Sequence, residues 1–214
     1  VLQRALDSET FTGWMTLPCG YFVAAKGIDD PETALPLLAA LSPRFSSEGP
    51  IRPFIERHPA IAYRHLREWT THPHEHVRRL VSEGTRPRLP WARHLKSHIA
   101  DPRLSIDLLD RLFDDPSEYV RRSVANHLND ISKDHPEVAL DVSRRWVERS
   151  THGDFVVRRG LRTLVKRGDP TALGLLGYGG AGAITLVALE CAPDRVAIGG
   201  EVTITAQLTA DRPT

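Results

Sequence analysis

The stretch VRRSVANHLNDI (residues 120–131) places Val120, Val124, Leu128 and Ile131 at helical spacing, so it reads as one amphipathic helix. Just upstream, Leu104, Ile106, Leu108, Leu109 and Leu112 make a second apolar helix, and Asp114-Asp115-Pro116-Ser117 separates the two. The opening triplet recurs as Val77-Arg78-Arg79 and Val157-Arg158-Arg159, 43 residues before and 37 residues after the middle copy. Those intervals lie near the roughly 40–47 residues of HEAT or armadillo units, and the chain is predicted to be an all-α solenoid of HEAT-like helical repeats. Further helices are expected over Pro31–Leu41, Ile51–Trp69 and Pro136–Ser150. The last of these offers Val138, Val142 and Val147 for burial and is ended by His152-Gly153.

After Leu176 the run Gly177-Tyr178-Gly179-Gly180-Ala181-Gly182 is too rich in glycine to continue a helix. Beyond it, Val202, Ile204, Ala206 and Leu208 alternate with polar residues over Glu201–Thr209, a strand pattern, with another strand expected before Ala197–Gly200. The expected organisation is therefore a helical-repeat domain over residues 1–176, a linker over 177–187, and the first strands of a truncated β-sandwich over 188–214.

The composition, 41% hydrophobic and 26% charged, is that of a soluble globular chain, and no apolar run is long enough to span a bilayer. Val1–Glu9 has neither a basic start nor an apolar stretch, so no signal peptide is expected. Cys19 and Cys191 stand far apart, which predicts neither a disulfide framework nor a structural zinc site. A bacterial cytoplasmic monomer is expected. His72, His74 and His76 alternate beside Pro73 without an i, i+4 pair, so no metal is expected there, and no cofactor is implied anywhere.

A net charge of +1 conceals sharp segregation. Arg78–Arg103 carries seven basic against two acidic residues, and Arg121–Gly168 carries eleven against six. Leu104–Val120 and the tail from Asp169 are acidic. Such blocks suit a polyanion. Arg79, Arg122 and Arg159, at helix starts, can meet phosphates together with free backbone N–H groups, although arginine at this position of a repeat equally serves inter-repeat hydrogen bonding. Arg158, Arg159, Arg162, Lys166 and Arg167 crowd what reads as one helix with no acidic neighbour to neutralise them.

The segment SEGTRPRLPW (residues 82–91) reads as a stiff loop bearing Glu83, Arg86, Arg88 and Trp91 among Gly84, Pro87 and Pro90. Such a loop can hold a reactive sugar and its phosphates with little entropy left to lose, or it can be an ordinary inter-repeat turn with Glu83 paired to Arg86 and Trp91 buried.

Three strings in order, RFSSEGPIRPF (44–54), SEGTRPRLPW (82–91) and SVANHLNDISKDHP (123–136), resemble the AlkC branch of the AlkC/AlkD alkylpurine DNA glycosylases. The resemblance runs from Val1 to about Leu176, and the strands after it resemble the start of the immunoglobulin-like domain that some AlkC proteins append. It implies a monofunctional glycosylase that acts on duplex DNA in base excision repair, excising cationic bases of the N3-methyladenine type, and N3-methylcytosine as an extension, without flipping them. It also implies catalytic roles for Glu48, Glu83, Trp91 and Asp130; the basic blocks, helix starts and stiff loop by themselves point to DNA contacts by Arg79, Arg86, Arg88, Arg122, Arg158, Arg159, Arg162 and Lys166. Each has a plainer reading: Asp130 can bond only to neighbouring backbone, and Glu48 can serve a helix N-terminus. A non-catalytic DNA-binding or protein-interaction module of helical repeats is the alternative.

Overall fold

The computed structural model describes residues 2–8, 10–178 and 184–210, and the chain divides into two compact units, Val1–Ala172 and Leu173–Thr214. The first begins with α1 (Leu2–Ala5) and a 3-10 turn at Gly13–Thr16, followed by α2 (Leu17–Lys26), α3 (Pro31–Leu41), α4 (Arg52–Arg57) and α5 (Pro59–Trp69). Next come α6 (Glu75–Gly84), α7 (Lys96–Ala100), α8 (Arg103–Leu112), α9 (Glu118–Asp134), α10 (Pro136–Arg149), α11 (Thr151–Gly160) and α12 (Arg162–Lys166); α13 (Pro170–Leu175) spans the division.

Helix α6 packs on α3, α9 on α6, and α11 on α9, while α5, α8 and α10 each pack against members of this row. The apolar stripes explain the order. Val77, Leu80 and Val81 of α6 and Val120, Val124, Leu128 and Ile131 of α9 are all buried, as are Val156 and Val157 of α11. The starts of α3 and α11 are capped by short polar side chains: Asp30 accepts from the Thr33 N–H at 3.3 Å, and Ser150 from that of His152 at 3.1 Å.

The repeated arginine has a structural counterpart. Arg78 donates to the carbonyls of His72 and Pro73, six and five residues back, and Arg121 repeats this with Asp115 and Pro116. Arg78 also forks onto Asp115 at 2.7 and 3.0 Å, and that hydrogen-bonded pair raises its pKa. The first arginine of these two triplets thus fastens the loop before its own helix.

Three boundaries differ from expectation. The predicted helix over Ile51–Trp69 is two helices, broken at His58, because Pro59 opens a new first turn. His152-Gly153 lies inside α11 rather than ending α10. Glycine is required there by proximity, since a Cβ on Gly153 would stand 2.1 Å from the Trp146 carbonyl oxygen. The last turn of α6 takes in Ser82, Glu83 and Gly84, so the stiff loop begins only at Thr85. Within α10 the buried face is set by Val142 and Trp146 rather than Val147, which is exposed. Trp146 stacks on Phe113 with centroids 5.1 Å apart and donates from Nε1 to Asp110 at 2.6 Å.

In the second unit β1 (Ile184–Ala192) pairs antiparallel with β2 (Thr203–Ala210), Ile184 opposite Ala210, with a register slip between Leu186 and Ala188. Residues 184–187, expected in a linker, belong to β1, while Gly179–Gly182 lie outside the described residues.

Candidate active site

The segment Ser46-Ser47-Glu48 sits between α3 and α4, where the Ser47 hydroxyl donates to the Leu38 carbonyl at 2.8 Å and the Ser46 hydroxyl to Glu48 Oε2 at 2.7 Å. Glu48 then meets Arg79 of α6, with Arg79 Nη1 at 2.8 Å from the same oxygen. One helical turn on, Glu83 lies 3.6 Å from Arg79 Nη2, the i, i+4 spacing that puts both on one face. Just beyond the helix end, Arg86 donates from Nη1 to Glu83 at 2.6 Å and from Nε to Asp130 of α9 at 2.9 Å. Lys133, one turn along α9, takes the other oxygen of Asp130 at 3.1 Å. Acids and bases therefore alternate in a continuous series, Glu48–Arg79–Glu83–Arg86–Asp130–Lys133, across three structural segments.

The series runs from surface to interior: the side chains of Glu48, Glu83 and Asp130 are 28%, 6% and 1% exposed. Charges at such depth persist only when paired and hydrogen-bonded. Ser123 supplies a further donor to Glu83 at 2.5 Å and itself accepts from Ser82 at 2.6 Å. Burial opposes the charge on Arg79 and Arg86, but Glu83 first, with Glu48 or Asp130, outweighs it and holds both guanidiniums above their ordinary pKa. Beneath the series, fully buried His127 faces the Ser82 carbonyl at 2.9 Å, and burial pushes its pKa down to about 3, so the ring is neutral.

Trp91 is the opposite case. It is fully exposed, and its backbone φ of 62° lies in the left-handed region that costs a bulky residue energy. The loop holds that conformation by buried Leu89, by the Leu95 N–H donating to the Pro87 carbonyl at 3.1 Å, and by Arg88 forking onto Asp134 at 2.8 and 2.9 Å. A depression of about 300 Å³ brings Trp91 together with Glu48, Arg79, Trp14 and Tyr21.

The four residues expected to be catalytic thus fall on one region, with Glu48 and Trp91 on its open side and Glu83 and Asp130 within. The arginines are corrected in part. Arg86, expected on DNA, is 7% exposed, and its guanidinium is held between two carboxylates. Arg79 likewise faces Glu48 and Glu83, with its guanidinium 4.8 Å over the Tyr119 ring. Arg88 is committed to Asp134. The basic cluster spans two helices, α11 and α12, and it has an acidic neighbour: Asp154 lies 3.5 Å from Arg158. Arg122 is exposed and paired with Glu118 at 2.7 Å; Arg159 and Lys166 are exposed, and Arg162 donates to the Arg159 carbonyl at 2.8 Å.

Ser46, Ser123, Tyr119 and Lys133 were not foreseen. Only Lys133, at i+3 from Asp130, carried a local signal. Among the described residues no group of three or more His, Cys, Asp or Glu side chains can hold a metal ion, and no helix is long and apolar enough to cross a membrane.

The family model described as DNA alkylation repair enzyme matches residues 46–158, a span that contains all four of these residues. An uncharacterized protein of Bacillus subtilis, YhaZ, is 39% identical over 191 residues, covering 89% of this chain and 54% of its own length. A Pseudomonas fluorescens structure, the alkylpurine DNA glycosylase AlkC bound to DNA containing an abasic site analog, superposes with a TM-score of 0.89 at 36% identity. It covers 99% of this chain and 58% of that one. The chain spans a little over half the length of both. The match over more than half of its residues places this chain in the DNA alkylation repair enzyme family.

Proposed function

We propose that the chain is a monofunctional DNA glycosylase domain that removes cationic alkylated bases from duplex DNA in base excision repair. One observation carries this reading: three carboxylates tied through two arginines to one site, beside an exposed, conformationally fixed tryptophan. A base that is already positively charged is a good leaving group, so the protein need not protonate it; the sugar left behind is oxocarbenium-like and wants negative charge nearby. Glu48, the most open carboxylate, is placed to face that cation, and the buried Glu83 and Asp130 add to the field. A carboxylate freed from its pair orients the attacking water, while the face of Trp91 meets the cationic base or sugar. The same economy allows the base to stay unflipped, because electrostatic help at the sugar suffices for a weakened bond.

Arg122, Arg159, Arg162 and Lys166 are the proposed phosphate contacts, with Arg158 beside them. We read residues 1–176 as a HEAT-like solenoid and the hairpin after it as the start of an immunoglobulin-like domain, in a monomeric cytoplasmic protein. The rival reading, a non-catalytic DNA-binding module, draws on the pairing itself, since both oxygens of Asp130 are occupied. The two are separated by mass spectrometry of bases released from methylated duplex DNA. Release of N3-methyladenine, but not of neutral lesions, supports the glycosylase; bound DNA with no release supports the module.

A further inference from the structure

Arg52 opens α4 and is 2% exposed, yet among the described residues no carboxylate lies within ion-pairing distance of it. Its charge is met by two carbonyls: Nη1 donates to Gly84 at 2.8 Å and Nε to Arg93 at 2.6 Å, while buried Nη2 has no partner. Burial lowers its pKa to about 10, which still leaves it cationic at neutral pH. Glu56, Asp130 and Glu48 favour its charge from beyond ion-pairing distance, but a buried guanidinium with no directly paired carboxylate is still expensive, so its placement calls for an explanation in what it joins.

The two carbonyls bracket the site. Gly84 follows Glu83 in the last turn of α6, where the carbonyl end of the helix favours a cation. Arg93 follows Trp91 by two residues. The contact is tight as well as polar, for a Cβ on Gly84 would stand 2.7 Å from Ile51 Cγ2, immediately before Arg52. One planar fork therefore ties the helix end that carries Glu83 to the loop that carries Trp91. The cavity beyond, lined by Tyr21, Gly49, Arg52 and Trp91, adjoins the same loop.

We infer that Arg52 is a positioning residue for the glycosylase reaction: it fixes the separation of Glu83 and Trp91 by pinning both ends of the loop between them. This rests on the function proposed above, and the test reads the pin and the function separately. The full chain is labelled with 5-fluorotryptophan, and the Trp91 signal is assigned with W91F. R52K keeps the stem and charge but cannot span two carbonyls as the fork does. In R52K the Trp91 fluorine signal shifts or broadens while those of Trp69 and Trp146 stay in place, and R52M shows the larger change. Single-turnover release of N3-methyladenine falls about 10- to 100-fold, as expected for a reacting group misplaced by about 1 Å, with affinity for an abasic-analogue duplex changed less than about threefold. An unmoved Trp91 signal in folded R52K, or a moved signal with the wild-type rate, overturns the proposal. If R52M does not fold, R52K decides alone. If the wild type releases no base, the proposed function fails, and the fluorine signal still decides whether Arg52 pins the loop.

Discussion

The arginines of α6 and its following turn and those of α11 and α12 come from similar sequence and end in opposite surroundings. Arg79 and Arg86 are sunk between carboxylates, whereas Arg159 and Lys166 stand in solvent. The difference lies in what surrounds them rather than in the motif. Glu48, Glu83 and Asp130 come from three segments and can be neutralised together only where those segments meet, so that region becomes a fixed, desolvated field. On the outer helices the ion pair is of another kind, Arg158 with the exposed Asp154 at 3.5 Å, and Arg159 and Lys166 keep their side chains at the surface. The paired interior holds its charges in fixed positions, and the proposed phosphate contacts lie on the surface.

The largest effect is expected from Asp130→Asn. It leaves Arg86 short of a charged partner in the interior, and a stability loss of about 3 kcal/mol is predicted, read by urea unfolding. Base release should fall at least about 100-fold at a temperature where the variant is folded. Trp91→Ala separates these quantities. Because its side chain touches solvent, stability should stay within about 0.5 kcal/mol, yet release should fall about tenfold or more. A large stability loss in Trp91→Ala would mean that the aromatic supports the fold and that the contrast drawn here is wrong.

Acid should affect the interior first. Burial lowers the pKa of His127 to about 3 and of His98 to about 4, below the ordinary histidine value near 6.5. The unfolded chain therefore takes up protons that the folded chain refuses. The stability associated with these neutral rings is complete above about pH 6.5 and is lost as pH falls towards about 3, at up to about 1.4 kcal/mol per pH unit for each ring. Melting temperatures measured from pH 7 to pH 4.5 should show this slope, and His127→Gln should flatten it in proportion. The smallest effects belong to the outer cations. Arg159→Ala and Lys166→Ala should each weaken DNA binding a few-fold and reduce its salt slope by about one, without changing stability. A steeper loss at Arg86→Ala than at these surface positions, in binding alone, would reverse the assignment of inner and outer arginines.

Much of this was legible from local pattern. The α3 boundaries follow from Pro31 and the leucine spacing, and the stacked helix pairs follow from the recurring triplet. Glu83 and Trp91 stand out in the stiff loop, but their grouping with Glu48 and Asp130 comes from the resemblance, since nothing in the spacing of the four reveals that they meet. What stayed hidden depends on partners distant in the chain. The Glu83–Arg86 pair is local and was readable, but Arg86 lies 44 residues from Asp130 and Arg88 lies 46 from Asp134, so no local rule could mark those pairings or the burial of Arg86. Gly153 looked like a helix breaker because the glycine rule is local, whereas the crowding by Trp146 that requires it is tertiary. Arg52 escaped notice for the same reason, as its partners are backbone carbonyls that carry no residue-type signal.

The most direct test is single-turnover release of N3-methyladenine from methylated duplex DNA at saturating protein, comparing wild type, Asp130→Asn and Glu83→Gln, with abasic-analogue binding measured on the same samples. Release by wild type, lost at least about 100-fold in Asp130→Asn and strongly reduced in Glu83→Gln while binding persists, is the predicted result. Undiminished release in both folded variants would contradict it and return the carboxylate series to the role of scaffold.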